Sequence, residues 1–300
     1  MIYSKCLAAT ALVLALAAAP TAGWSREENV PLVGVAAQYD TTHVYVAPED
    51  VDKFAASFLA TFGGQSTKQV VATVTPTPSS TTSQLLQTPV GTVSLFGFKT
   101  PIPYPFGGER TGYLVTDLDE AIKLAKESGA DVLVAAFPDP IGRDAVIQWP
   151  GGVNMQIYWH TTKPSYAPFE TVPENRVYVS PERADALTHS FVRFSHGKIV
   201  SDDAHAAGVE IGRSKDTFRR IRIESVFGKM TVFVTDGQLP YPYGREFTGY
   251  EVKDLQATLA KAKSSGAAVL VDPYTADGRV AAMIQFPGGH IAEIHAAAPK

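Results

Sequence analysis

Two nearly matching stretches carry the polar side chains best placed for chemistry, "IQWPGGVNMQIYWH" at 147–160 and "IQFPGGHIAEIHA" at 284–296. After each Pro-Gly-Gly turn the residues alternate. Met155, Ile157 and Trp159 share one strand face, and Gln156 and Tyr158 the other. Ile294 likewise faces inward, with Glu293 and His295 on the opposite face. A carboxylate and an imidazole two residues apart on one face can pass a proton between them near neutral pH. Gln156, an amide, does not titrate but can hydrogen-bond or offer its oxygen as a ligand. Arg220 and Arg222 alternate with Ile221 and Ile223 in the same way. They could grip a carboxylate or phosphate, but a solvated strand face is the expected reading. His160, His189, His196 and His205 are expected at the surface or in loops, and His290 in a turn. G-x-S-x-G, P-loop and H-E-x-x-H motifs are absent.

The elements that would position these residues come as a repeat. "PYPFGGERTGYLVTDL" (103–118) matches "PYPYGREFTGYEVKDL" (240–255), and Gly112 pairs with Gly249 at an offset of 137. Gly151 and Gly288 keep that offset. "HVYVAPE" and "RVYVSPE" match at 133, so the second copy carries a small insertion. A period this long suits two duplicated domains, not a solenoid. In each copy, short β-branched and aromatic runs alternate with helices. Pro48 opens a helix with Val51, Phe54, Phe58 and Phe62 inward, and Gly63-Gly64 close it. Asp117 caps a second, which ends at Gly129. The pattern is β-α-β-β-β twice per domain. The domains are read as 40–162 and 174–297, with linkers at 23–39 and 163–173.

Of the 300 residues, 45% are hydrophobic and 19% charged, and the net charge is −4. These values suit a globular protein and give no reason to expect nucleic acid or an anionic membrane as partner. "MIYSK" precedes a 14-residue apolar run, "CLAATALVLALAAA", and then "PTAGWS". This reads as a signal peptide over residues 1–22, which predicts export, with the bacterial periplasm the best fit and no membrane span after cleavage. Cys6 falls inside it, so the mature chain has no disulfide and no thiolate catalysis.

The "TGYLVTDLDEAIKLAKESGA" segment, the "PGG" turn and the following strand ending in Glu or Gln resemble the vicinal oxygen chelate superfamily: glyoxalase I, bleomycin-resistance proteins and extradiol dioxygenases. The resemblance implies an α+β fold of two tandem glyoxalase-like domains, each a cupped mixed sheet of two β-α-β-β-β modules. It also implies a divalent metal, Fe, Zn, Ni or Mn, held from set strand positions. The first strand offers His43 in one copy and Arg176 in the other. The strand opening the second module offers Tyr113 and Tyr250, the last strand Gln156 and Glu293, and Ser94 and Thr231 occupy a fourth place. His43, Gln156 and Glu293 are thus the implied metal ligands, and His43 and Glu293 the implied catalytic residues. Neither copy holds the full ligand set, and Arg176 would repel a cation, which makes an Arg176–Glu293 ion pair the expected arrangement. Tyr45, Tyr113, Tyr158, Arg176, Tyr250 and His295 are the expected ligand-binding residues, the first three sharing the domain 1 concavity with His43. Simple filling of the cup is the plainer reading of the tyrosines. The expected partner is a small molecule, with a homodimer as the one macromolecular partner carried forward. Ligand binding with degenerate metal sites is the favoured function. A metal-dependent lyase, a glyoxalase-type isomerase or a dioxygenase is the alternative, and an interaction scaffold the third reading.

Overall fold

A computed structural model describes residues 31–299. The expected signal peptide lies outside the described residues.

The first copy runs β1 (Thr41–Val46), α1 (Val51–Phe62), β2 (Gln65–Ser66), β3 (Val70–Ala72), β4 (Thr81–Thr88) and β5 (Gly91–Phe98). It continues with β6 (Thr111–Leu114), α2 (Leu118–Glu127), β7 (Asp131–Asp139), β8 (Gly142–Trp149) and β9 (Val153–His160). The second runs β10 (Glu174–Val179), α3 (Pro181–Ser195), β11 (Lys198–Ala207), β12 (Thr217–Ser225) and β13 (Gly228–Val234). It ends with β14 (Phe247–Glu251), α4 (Leu255–Ser264), β15 (Ala268–Ala276), β16 (Arg279–Gln285) and β17 (Ile291–Ala297). Each copy builds one mixed sheet. The orders are β2-β4-β5-β1-β6-β9-β8-β7, with β3 also on β4, and β11-β12-β13-β10-β14-β17-β16-β15. The first strand of each module lies at the sheet centre, where β1 pairs antiparallel with β6 and β10 with β14. The two modules therefore meet in one cup, and the expected tandem α+β architecture is present.

The convex faces carry the helices, and the apolar alternation explains why. Val44 and Val46 of β1 point outward to the core, while Thr41, His43 and Tyr45 point into the cup. The helix stripes then pack across the domain boundary. Phe54 and Phe58 of α1 meet Phe286 at ring-centroid distances of 5.7 and 5.2 Å, and Phe58 meets Tyr250 at 5.6 Å. On the other side, Phe191 and Phe194 of α3 pack on Trp149 at 5.9 and 5.2 Å. Two cores result, each shared by a module of domain 1 and a module of domain 2. Asp117 and Asp254 cap α2 and α4 by accepting from the Glu120 and Ala257 amides at 2.9 Å.

Of the stretches read as linkers, residues 31–39 and 163–173 are described, and several of their side chains pack on the domains. Val33 is buried in the α2/α3 core, Gly34 bridges Val115, and Tyr166 lies against Tyr39 at 5.4 Å. Val33 and Val35 exchange backbone hydrogen bonds with Thr116 and Leu114, and the Glu170 and Thr171 amides donate to the Pro89 carbonyl, partners that short loop signals do not reveal.

Candidate functional site

Domain 1 holds an open cup of about 380 Å³. His43 and Tyr45 from β1, Ser94 and Phe96 from β5, Asp144 from β8, and Gln156, Tyr158 and His160 from β9 line it. Lys68, Val70 and Tyr166 close its rim. Strand alternation sends His43 and Gln156 to the same face, on either side of Gly112 in β6. Gly112 leaves room for the imidazole: a Cβ there would stand 2.5 Å from His43 Nε2 and 3.0 Å from Tyr158 Cε1.

The wall is aromatic and its polar groups are tied to one another. Tyr45 stacks on Phe96 at 5.2 Å, and its hydroxyl donates to Glu109. His43 Nδ1 lies 3.6 Å from the same Glu109 carboxylate, too long for a hydrogen bond, and is unpartnered. Gln156 Nε2 donates to Asp144 Oδ2 at 2.7 Å. Burial, with help from Asp139, pushes the Asp144 carboxyl well above its usual range, against the opposing pull of Gln156. Asp144 is therefore held toward its neutral form. Tyr158 donates to the Tyr39 carbonyl, and burial and nearby Asp40 raise its hydroxyl well above its ordinary value. The cup thus offers hydrogen bonds and ring faces with little net charge.

Domain 2's cup is filled instead. Arg176, at the place of His43, donates from Nε to Glu174 Oε2 at 2.7 Å, and its Nη2 lies 3.2 Å from Glu293 Oε1. The other Glu293 oxygen is 2.8 Å from His295 Nδ1, and Arg279 meets Glu174 at 3.1 Å. The guanidinium also lies over Phe233 and Phe247 at 5.4 and 5.8 Å. Glu174, Arg176, Glu293 and His295 are each no more than 3% exposed. Burial alone would raise the Glu174 carboxyl, but Arg176 and Arg279 outweigh it and hold it well below the usual range. The pair expected between Arg176 and Glu293 is thus present, inside a larger network.

Several expected placements change. Tyr113 and Tyr250 do not enter the cups. Tyr113 stacks on Phe227 at 4.6 Å in one core, and Tyr250 packs on Phe62 at 5.0 Å in the other. The cup-facing residue of each second-module strand is the preceding glycine, Gly112 or Gly249, so a one-residue offset inverts the side. Arg220 is buried and bonds Glu210 and Asp277, because β12 turns this face toward the filled cup. Arg222 also pairs with Asp277. His160 lies on the cup wall, not in a loop, and burial lowers its basicity. Asp144 and Glu109 escaped notice. Glu109 had a signal: "GERTG" and "REFTG" keep a glutamate three residues before the paired glycine in both copies.

These placements decide whether a divalent ion fits. Gly112 and Gly249 supply no donor at the second-module position, Gln156 is spent on Asp144, and both Glu293 oxygens are taken up, one by Arg176 and one beside His295. Among the described residues no three His, Cys, Asp or Glu side chains are grouped to hold a metal. The residues present do not fit such an ion.

The chain's fold is shared by several enzymes. It matches a mutant 4-hydroxymandelate synthase from Streptomyces coelicolor with a TM-score of 0.56 and 13% identity, over 89% of this chain and 94% of that one. It matches 2,2',3-trihydroxybiphenyl 1,2-dioxygenase from Sphingomonas wittichii at 0.53 and 11%, over 88% and 91%. A Mn(II)-bound glyoxalase from Novosphingobium aromaticivorans follows at 0.50 and 13%, over 88% and 83%. At 11–13% identity the likeness is one of fold: two tandem α+β domains, each a single cupped mixed sheet. No family model and no curated protein matches the sequence.

Proposed function

We propose that this is an exported binding protein whose domain 1 cup takes a small aromatic, hydroxylated molecule without a metal. The observation that supports this best is the contrast between the cups: one is open and lined by rings and near-neutral hydrogen-bonding groups, while the other is packed with paired ions. Tyr45, Phe96 and Tyr158 offer ring faces, and His43 and the Gln156–Asp144 pair offer hydrogen bonds to hydroxyls. Export rests on the N-terminal apolar run alone. The second reading is a glyoxalase-type lyase or isomerase, or a dioxygenase. It draws on the unpartnered His43 imidazole beside Glu109, an arrangement suited to moving a proton.

Calorimetric titration of the mature protein with catechol tests the first reading. Saturable one-to-one binding is expected, weakened about tenfold by Gln156→Leu, the worth of one buried hydrogen bond. Absence of binding, or binding indifferent to Gln156→Leu, rejects the cup as the site. A stoichiometric Fe, Zn, Ni or Mn ion that is lost on His43→Ala overturns the metal-free reading.

A further inference from the structure

A second cavity, of about 520 Å³, lies between the domains and shares only His43 and Tyr45 with the domain 1 cup. Thr42 and Arg110 come from domain 1. Tyr243 to Thr248 and the turn Gly288–Ile291 come from domain 2. Three features show unmet hydrogen-bonding capacity. The Arg110 guanidinium has no ion pair or hydrogen bond among the described residues. His290 Nε2 and Glu246 Oε1 are buried without a partner. His43, 2% exposed, also lines this wall. A buried polar atom without a partner costs about 1–3 kcal/mol, and two at one cavity, beside a guanidinium with no ion pair, fit a site completed by a ligand.

We propose that this interdomain cavity binds a hydroxylated aliphatic monocarboxylate of the sugar-acid class, its carboxylate paired with Arg110 and its hydroxyls meeting His290, Glu246 and Thr248. The guanidinium fork matches a carboxylate in two parallel hydrogen bonds. The other guanidinium on the rim, Arg245, is exposed and lies over the Tyr241 ring at 5.2 Å. One interior cation favours a monoanion over a phosphate dianion. The lining is otherwise mostly hydroxyl, imidazole and carboxyl groups, which suits a polar ligand body better than an aromatic one.

The protonation states agree with this. Burial pushes the Glu246 carboxyl up to about 8, opposed by Asn175 and Arg110. Burial, with Arg110 adding to it, lowers His290 to about 3. At neutral pH Glu246 is therefore mainly a neutral donor and His290 an uncharged ring, so neither repels an anion or competes for Arg110.

The test is calorimetric titration of the mature protein with gluconate at pH 7, with glucose and inorganic phosphate as comparisons. Gluconate is expected to bind at one site, at least tenfold tighter than either comparison. Arg110→Gln should weaken it at least tenfold, and Arg245→Glu, a change at an exposed position, a few-fold. Gln156→Leu should leave it unchanged, which separates this site from the cup. No gluconate binding, equal binding of glucose or phosphate, or a gluconate affinity insensitive to both arginine changes overturns the proposal.

Discussion

Glu109 and Glu246 occupy one place in the two copies, yet their surroundings set them different tasks. Glu109 accepts from Tyr45 behind the cup wall, while Glu246 faces the interdomain cavity, and each keeps one buried oxygen without a partner. The raised Glu246 value makes a prediction with a definite sign. Between its unfolded value near 4.5 and its folded value of about 8, the folded state keeps a proton that the unfolded chain has released. Stability contributed by this group is present below pH 4.5 and declines as pH rises to 8. Relative to wild type, Glu246→Gln should gain about 2 kcal/mol between pH 5 and pH 8.5, less than the full shift implies because the cavity reaches solvent. Urea melts at both pH values check this, and parallel pH profiles for the two proteins would contradict it. At this scale the sequence was only partly legible. Alternation placed His43, Gln156, Glu293 and His295 on cup faces, and the sign clash of Arg176 with a cation pointed to its partner. Asp144 was invisible because its importance comes from which strand lies opposite, and Glu246 carried only the repeated-glutamate signal, its setting being fixed by which domain lies opposite, a tertiary matter.

Among the elements, β6 and β14 differ most from the expected arrangement. Both copies read "TGY", and the bulky tyrosine drew attention as the functional side chain. The glycine is the one turned into the cup, and the tyrosine anchors the strand to the interdomain core. Since a strand has period two, the side chosen depends on the centre-strand register, where Thr41 pairs with Gly112 and Glu174 with Gly249. The helices were easier to read, because the Phe54–Phe58 stripe and the Asp117 and Asp254 caps are local signals. Gly112→Ala should push His43 and Tyr158 from their positions. A destabilisation of about 1–3 kcal/mol is expected, as for overpacking elsewhere, together with at least tenfold weaker catechol binding. Equilibrium unfolding and titration of the variant measure both, and unchanged catechol affinity would show that His43 has room to spare.

For the molecule as a whole, the duplication predicted two domains but not their mutual dependence. The apolar stripes said that each helix buries one face; only the coordinates show that the face is buried against the other copy. Phe58, fully buried, touches Phe62, Tyr250 and Phe286. Phe58→Ala should cost about 3–5 kcal/mol and lower the unfolding midpoint of both domains together. Tryptophan fluorescence reports this through Trp149, which sits in the other shared core. A biphasic melt in which the Trp149 signal is unaffected would mean that the halves are independent. The same interlocking sets an order of events during synthesis. The α1 stripe of the first copy waits for Phe286 and Ile294, more than two hundred residues later. The nascent chain must carry that sticky surface uncovered until Phe286 and Ile294 have been made, so a stop codon just before them should yield a product fit for proteolysis rather than a working N-terminal half.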